Sequence, residues 1–318
     1  MHRRFSHSLW RESVRMAAYV FALGWGWVPV THGALSLPFN PDDWQSNGSL
    51  ASGDFSNGSV ELTTEGGQNE ANALFYEERF RFDRDFEVSF RYALASNANP
   101  ADGFAFVLQD DSKDASGAIG AAMAYTGSPG IENSVAIGLD LYDGDGTSTG
   151  LIAGYGGEWR EIDSNRRVTA EEGFSPEPLS GINSFKNTDL TLDFTLGWEE
   201  ADQTMTVDWE KVGGTESGSV AFLFATDSDG NIFDNQLGAN REAWLGFTGG
   251  TGGATATQTL SNLTTTIPEP ASFGPQPPAR PLSSGKYRRR GGPRGGGTPG
   301  RVPGFPGRAG RRGGRSGR

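Results

Sequence analysis

The chain contains no cysteine, and its only histidines, His2, His7 and His32, lie within the first 33 of its 318 residues. The lack of cysteine excludes a disulfide framework and thiolate chemistry. Beyond residue 33 there is no histidine to act as a general base, to complete a serine–histidine triad, or to bind zinc or manganese. Enzymes and metal sites of these kinds are therefore not expected.

Acidic residues are missing from the last part of the chain and concentrated in the middle. Residues 34–272 carry 11 basic and 38 acidic residues, whereas residues 273–318 carry 12 basic residues and no acidic one. The acidic middle argues against nucleic acid as its partner. The Gly/Pro/Arg-rich tail has too few apolar residues for a core and is expected to be disordered.

The first 33 residues have the pattern of a secretory signal peptide. Four arginines precede or begin an apolar run over residues 16–30, and the small residues Gly33 and Ala34 suit cleavage. A transmembrane anchor is the alternative, but a spanning helix needs roughly 20 apolar residues. The sequence therefore predicts an exported protein.

Residues 44–266 have no sustained helical period, and their apolar and polar residues alternate instead. The alternation is clearest over residues 86–92, 190–196 and 205–210, and Asn, Gly, Asp and Ser clusters separate the runs. This pattern predicts an all-β sandwich or jelly roll. Residues 143–185 lack clear strand patterns and are expected to form long loops at one rim, where such folds carry binding sites.

Two segments carry a family resemblance. Residues 101–109 run from an Ala-Asp-Gly turn into an apolar strand, and residues 135–145 form a second such strand that ends in acidic residues. Together with residues 72–76 and 244–254, in the same order, they resemble the L-type (legume-like) lectins. The resemblance implies a concanavalin A-like jelly-roll β-sandwich over residues 34–266 that binds glycans or polysaccharide and catalyses nothing.

The resemblance also implies a sugar site. An aspartate that follows a cis peptide bond accepts hydrogen bonds from sugar hydroxyls, and a late glycine-rich loop donates backbone N–H groups. The residues that match these features are Asp102, Gly103, Gly252, Gly253 and Ala254. Two aromatic residues of the expected rim loops, Tyr155 and Trp159, could stack on a sugar face or equally pack within the loops.

The second strand corresponds to the metal site of the family. There a glutamate serves a transition metal, while an aspartate, an aromatic residue's carbonyl and an asparagine serve calcium. Gly138 and Gly144 replace the glutamate and the asparagine. Calcium without manganese is therefore expected, with a metal-free acidic turn as the alternative. The predicted calcium ligands are Asp140, Tyr142, Asp143 and Asp145.

Residues 267–272 resemble the start of a PEP-CTERM sorting signal, which is found on exported proteins of Gram-negative bacteria. Members of that group continue with a transmembrane helix and an arginine cluster, which residues 273–318 do not show. We hypothesise a frameshift after Ser272, and membrane anchoring is expected only if it removed such a helix. The predicted location is extracellular or on the outer surface of a Gram-negative cell, and homo-oligomers, which L-type lectins form, are possible.

Two other functions stay open. A structural matrix or surface protein could keep the sandwich after losing its ligand, which the missing metal residues would allow. A glycoside hydrolase is suggested by residues 161–166, which half match the signature of laminarinase-like enzymes, but Arg166 stands where a second carboxylate is needed. Residues 227–231 resemble a calcium loop, yet a polar turn is favoured because the distal glutamate is missing.

Overall fold

The computed structural model describes residues 34–51, 54–95, 97–143, 149–225 and 231–267. The predicted signal peptide, the tail and all but the first residue of the sorting motif lie outside these ranges. The described chain forms two antiparallel sheets and one short α-helix, α1 (Ile232–Leu237), which confirms the all-β prediction. No helix within these ranges is long and apolar enough to cross a membrane.

The described residues form 17 strands. In chain order they are β1 (Leu35–Ser36), β2 (Trp44–Asn47), β3 (Phe55–Ser56), β4 (Ser59–Thr63), β5 (Ala71–Tyr76), β6 (Phe80–Arg81), β7 (Phe86–Leu94), β8 (Gly103–Gln109), β9 (Ser134–Asp140), β10 (Gly150–Tyr155), β11 (Glu158–Ile162), β12 (Val168–Glu172), β13 (Leu190–Glu199), β14 (Thr204–Lys211), β15 (Ser217–Leu223), β16 (Glu242–Gly250) and β17 (Gln258–Thr265). One sheet has eight strands in the order β15-β14-β13-β7-β17-β4-β3, with β1 beside β17. The other has nine, in the order β12-β11-β10-β9-β8-β16-β5-β2, with β6 beside β16.

The main core lies between the two sheets. Side chains of β7 and β13 alternate between buried and partly exposed along the strands, as the period of two predicts. Their aromatic rings meet those of the other sheet, and the rings of Phe90 and Phe247 lie edge to face with centroids 5.0 Å apart. Burial of such rings stabilises the sandwich by about 2–3 kcal/mol each.

A second, smaller core covers the outer face of the nine-stranded sheet. The segment 110–133 folds back over β8, and its Met123, Tyr125 and Ile131 are fully buried against Ala105 and other residues of that sheet. The sheet is therefore buried on both faces, and β8 and β9 contain only buried residues. Strands of this kind read as continuous apolar runs rather than as alternating ones.

The prediction of long rim loops over residues 143–185 is wrong. Three strands, β10, β11 and β12, lie within this segment and extend the nine-stranded sheet to its edge. The sequence pattern failed here because β10 is buried on both faces and contains two glycines, so it shows no alternation. The strands β11 and β12 are short and rich in charged residues, which also masks a strand pattern.

Strand register brings the candidate site together at one end of the sandwich. Gly103 at the start of β8 lies opposite Asp140 at the end of β9 and opposite Gly250 at the end of β16. In the other sheet, Leu94 at the end of β7 lies opposite Gln258 at the start of β17. The loops that leave these strand ends therefore meet at one rim.

Candidate functional site

Asp102 occupies the centre of this rim. The peptide bond between Ala101 and Asp102 is cis, as the sequence resemblance implied. The N–H of Asp102 donates to the carbonyl oxygen of Gly250 at 2.9 Å, and its carbonyl accepts from the N–H of Leu141 at 2.9 Å. The neighbouring strands thus fix the main chain on both sides of the carboxylate, which is 6% exposed.

An open cleft of ≈ 480 Å³ lies over this aspartate. Its walls come from three loops, and its lining residues are Asn97, Asn99, Asp102, Tyr142, Gly253, Ala254 and Thr255. The structure therefore brings Asp102 together with two of the three predicted loop residues. Asn97, Asn99 and Thr255 were not predicted. The Asn-Ala-Asn-Pro run before the Ala-Asp-Gly turn is the sequence signal that could have found the first two.

The loop after β16 supplies the wall opposite the asparagines. A Cβ added at Gly252 would lie 3.3 Å from Oδ2 of Asp102, so this glycine lets the loop approach the carboxylate closely. The N–H of Gly252 is used within the loop, since it donates to the carbonyl oxygen of Ala254 at 3.2 Å. The N–H groups of Gly253 and Ala254 donate to no described residue, and both residues line the cleft.

Contacts with the β4–β5 connection hold this loop in place. The N–H of Glu70 donates to Oγ1 of Thr251 at 2.9 Å, and the N–H of Gly66 donates to Oγ1 of Thr255 at 3.1 Å. Below the loop, buried Gln258 donates to Oγ1 of Thr63 at 2.8 Å and accepts from the Tyr92 hydroxyl at 3.1 Å. A hydrogen-bonded polar network therefore supports the base of the cleft.

Gly103 has a structural part in the site. Its φ of 145° is one that side chains rarely adopt, and an added Cβ would collide with the carbonyl oxygen of Leu139 on β9. The residue is fully enclosed where β8 begins and does not line the cleft. It allows the main chain to turn beneath Asp102.

Tyr155 and Trp159 lie outside the cleft. Tyr155 ends β10 five residues, or about 17 Å of strand, from Gly150, which pairs with Asp140. Its ring lies 4.4 Å from the guanidinium of Arg160. Trp159 is 6% exposed and packs on Tyr125 with ring centroids 4.7 Å apart. The expectation that Trp159 stacks on a sugar is not met, because Trp159 is buried in the second, smaller core.

Trp159 also fills the space that a metal-binding glutamate would need. A Cβ added at Gly138 would lie 2.7 Å from the indole ring and 2.9 Å from Cγ1 of Ile152. Real Cβ atoms do not approach other atoms so closely, so no larger residue fits without a shift of the core. Gly138 and Trp159 are thus complementary parts of one packed cluster.

The predicted calcium corner lies next to the cleft. Asp140 is buried, and its Oδ1 accepts from the N–H of Tyr142 at 3.1 Å. Asp143 forms an ion pair with the ammonium of Lys186 at 2.6 Å, and Asp145 lies outside the described residues. Within the described ranges, no three acidic, histidine or cysteine residues are grouped to hold a metal. The described part of this corner does not by itself supply the six to eight oxygens of a calcium site, and calcium stays a prediction.

The hydrolase-like segment covers the end of β11 and the turn that leads to β12. Oδ1 of Asp163 accepts from the N–H groups of Asn165 at 2.7 Å and Arg167 at 3.0 Å. The hydrogen bond from Arg167 is the main cause that lowers the pKa of Asp163 below its ordinary value. Glu161 accepts from the hydroxyl of Ser175. Both carboxylates thus have local structural partners.

Comparison with known proteins identifies the fold. No protein-family profile matches the chain. Three solved structures are similar: the lectin from Bauhinia forficata in complex with GalNAc (16% identity, 73% of this chain and 97% of that chain, TM-score 0.52), basic winged bean lectin with Tn-antigen (14%, 73% and 98%, 0.51), and lectin II from Ulex europaeus (13%, 73% and 97%, 0.51). At such identities the likeness shows the fold alone. The chain has the legume-lectin jelly-roll β-sandwich fold.

Proposed function

We propose that this protein binds carbohydrate in the cleft above Asp102 and catalyses no reaction on it. The observation that carries the proposal is the convergence of a carboxylate, two side-chain amides and two backbone N–H groups in one open cleft. Each sugar hydroxyl can donate one hydrogen bond and accept others, so a cleft that combines a carboxylate acceptor with amide and backbone N–H donors suits a polyhydroxylated ligand.

The walls of the cleft have different roles in the proposed binding. Asp102 accepts hydrogen bonds from sugar hydroxyls, and the N–H groups of Gly253 and Ala254 donate to sugar oxygens. Tyr142 offers an aromatic side chain in the same cleft, which suits the apolar face of a pyranose ring. Two lectins of the same fold, one in complex with GalNAc and one with Tn-antigen, support carbohydrate as the ligand class.

The proposal includes export and a calcium-supported site. The signal-peptide pattern of residues 1–33 supports secretion to the outside of a Gram-negative cell or to its surface, where glycans and polysaccharides are accessible. Buried Asp140, beside the loop that carries Tyr142, supports calcium as the cation of the corner. Homo-oligomer formation stays a prediction.

A glycan array tests the function. We expect the full chain to bind a subset of glycans, to lose about tenfold or more in affinity in the Asp102→Ala variant, and to leave a soluble polysaccharide panel unhydrolysed. A separate comparison of glycan binding with calcium and with EDTA tests whether binding requires the cation. Binding to no glycan in either condition by a folded protein would contradict the proposal and favour the structural-matrix alternative. Release of reducing sugar would favour the hydrolase.

A further inference from the structure

We propose that Asn99 contacts the glycan directly and that the cleft selects uncharged glycans over acidic ones. The inference rests on the proposed function and specifies the ligand class of the same site. It starts from the loop between β7 and β8, which forms the cleft wall beside Asp102 and which the strand pattern left uninterpreted.

Asn97 fixes this loop through hydrogen bonds in three directions. Its Nδ2 donates to the carbonyl oxygen of Thr255 at 2.9 Å, which joins the two opposite walls of the cleft. Its Oδ1 accepts from the N–H of Asn99 at 2.8 Å, and its carbonyl accepts from the N–H of Asn187 at 2.6 Å. Both polar ends of the Asn97 side chain are thus engaged in holding the loop.

Asn99 differs from Asn97 in how its side chain is used. Its main chain is held by Asn97, yet its side chain is exposed and forms no hydrogen bond with any described residue. The amide lines the cleft together with Asp102. A side-chain amide offers two donors and an acceptor, so Asn99 can bind vicinal hydroxyl groups without carrying charge.

The charges around the cleft determine which glycans can enter. Among the described lining residues, Asp102 carries the only carboxylate, and none is a lysine or an arginine. The nearby ammonium of Lys186 is already paired with Asp143 at 2.6 Å. The carboxylate or sulfate of an acidic glycan would therefore meet the Asp102 carboxylate and, among the described lining residues, no lysine or arginine, on a domain whose net charge is strongly negative.

Paired ligands test this selectivity. The full chain is titrated with methyl glycosides of neutral hexoses and with the corresponding glycosiduronic acids, which differ only in the oxidation of C6, at low and at high salt. We expect the neutral member of the bound pair to bind about tenfold more tightly at low salt, with a smaller ratio at high salt because screening weakens the repulsion.

Asn99 is tested by substitution in the same titrations. Asn99→Ala should weaken neutral-glycan binding about fivefold, the value of one hydrogen bond. Asn99→Lys should reduce or reverse the preference against the acidic member. Ser219→Lys, which places the same charge on the exposed β15, is the control and should leave the ratio unchanged.

The possible outcomes distinguish a failure of this inference from a failure of the proposed function on which it rests. Equal or tighter binding of the acidic members by the wild type overturns the selectivity. Identical behaviour of Asn99→Lys and Ser219→Lys, or unchanged affinity in Asn99→Ala, overturns the contact. Absence of binding to both members of every pair contradicts the proposed function itself.

Discussion

Two adjacent residues at the start of β8 have different roles in the cleft. Asp102 presents a carboxylate to the cleft, while Gly103 allows the main chain to turn under it. A ligand contact can be replaced without loss of the fold, whereas a backbone requirement cannot. The two residues are therefore expected to respond to substitution in different ways.

The Gly103→Ala substitution should destabilise the protein by about 2–4 kcal/mol, because it combines a strained φ with a collision against β9. Urea unfolding measures the loss. Gly213→Ala is the matched control, since that glycine also has a positive φ of 75° but no atom within 4 Å of an added Cβ. It should cost about 1 kcal/mol. Equal costs at the two positions would contradict the role given to Gly103.

The sequence predicted individual site residues where a short motif specifies them. Asp102, Gly253 and Ala254 follow from an Ala-Asp-Gly turn and a glycine-rich loop, and the structure places all three in one cleft. Trp159 was misplaced because burial of a side chain depends on which strands pair, and strand pairing is not local in sequence. Asn99 was missed since a polar loop residue has no periodic signal.

At the scale of the element, strands with one buried face were predictable and strands with two were not. β7, β13 and β14 alternate and were predicted from that pattern. β10 is covered on both faces, because β11 contributes Trp159 to the second, smaller core. Its apolar run, interrupted by glycine, matches loop and strand equally well.

Packing in the second, smaller core explains why residue 138 is a glycine. Gly138→Glu should destabilise the protein by at least about 3 kcal/mol, because the side chain meets Trp159 and Ile152 and brings a charge into an apolar cluster. Gly197→Glu on β13 is the control, since nothing lies within 4 Å of its Cβ position, and should cost at most about 1 kcal/mol because Glu87 lies opposite. A stable Gly138→Glu protein that binds manganese in titration calorimetry would contradict this packing.

At the scale of the whole molecule, the sandwich gathers loops that lie far apart in sequence. The ends of β7, β9 and β16 and the starts of β8 and β17 meet at one rim through strand register. The all-β class followed from the sequence pattern, although β10, β11 and β12 did not. The convergence at this rim did not, because register depends on pairing across both sheets.

Two buried tyrosines make the stability of the sandwich sensitive to alkaline pH. Burial raises the pKa of Tyr92 and Tyr125 above the ordinary value, and in the unfolded chain both return to about 10. Above that pH the unfolded state binds fewer protons than the native state, so stability is lost as pH rises.

Urea unfolding at pH 8 and pH 11 measures this loss. We expect a lower free energy of unfolding at pH 11, and a smaller difference between the two pH values in Tyr92→Phe and Tyr125→Phe, which remove the titrating groups. The same difference in the wild type and in both variants would contradict the assignment to these phenols.

The central claim is that the carboxylate of Asp102 binds sugar, and one measurement tests it most directly. The dissociation constant for the best glycan is measured by titration calorimetry for the wild type, for Asp102→Asn, and for Asp208→Asn on the exposed side of β14. Asp102→Asn should weaken binding at least about tenfold with unchanged thermal stability, because it removes only the charged acceptor. Asp208→Asn should bind as the wild type does. Equal affinities for all three proteins would contradict the claim.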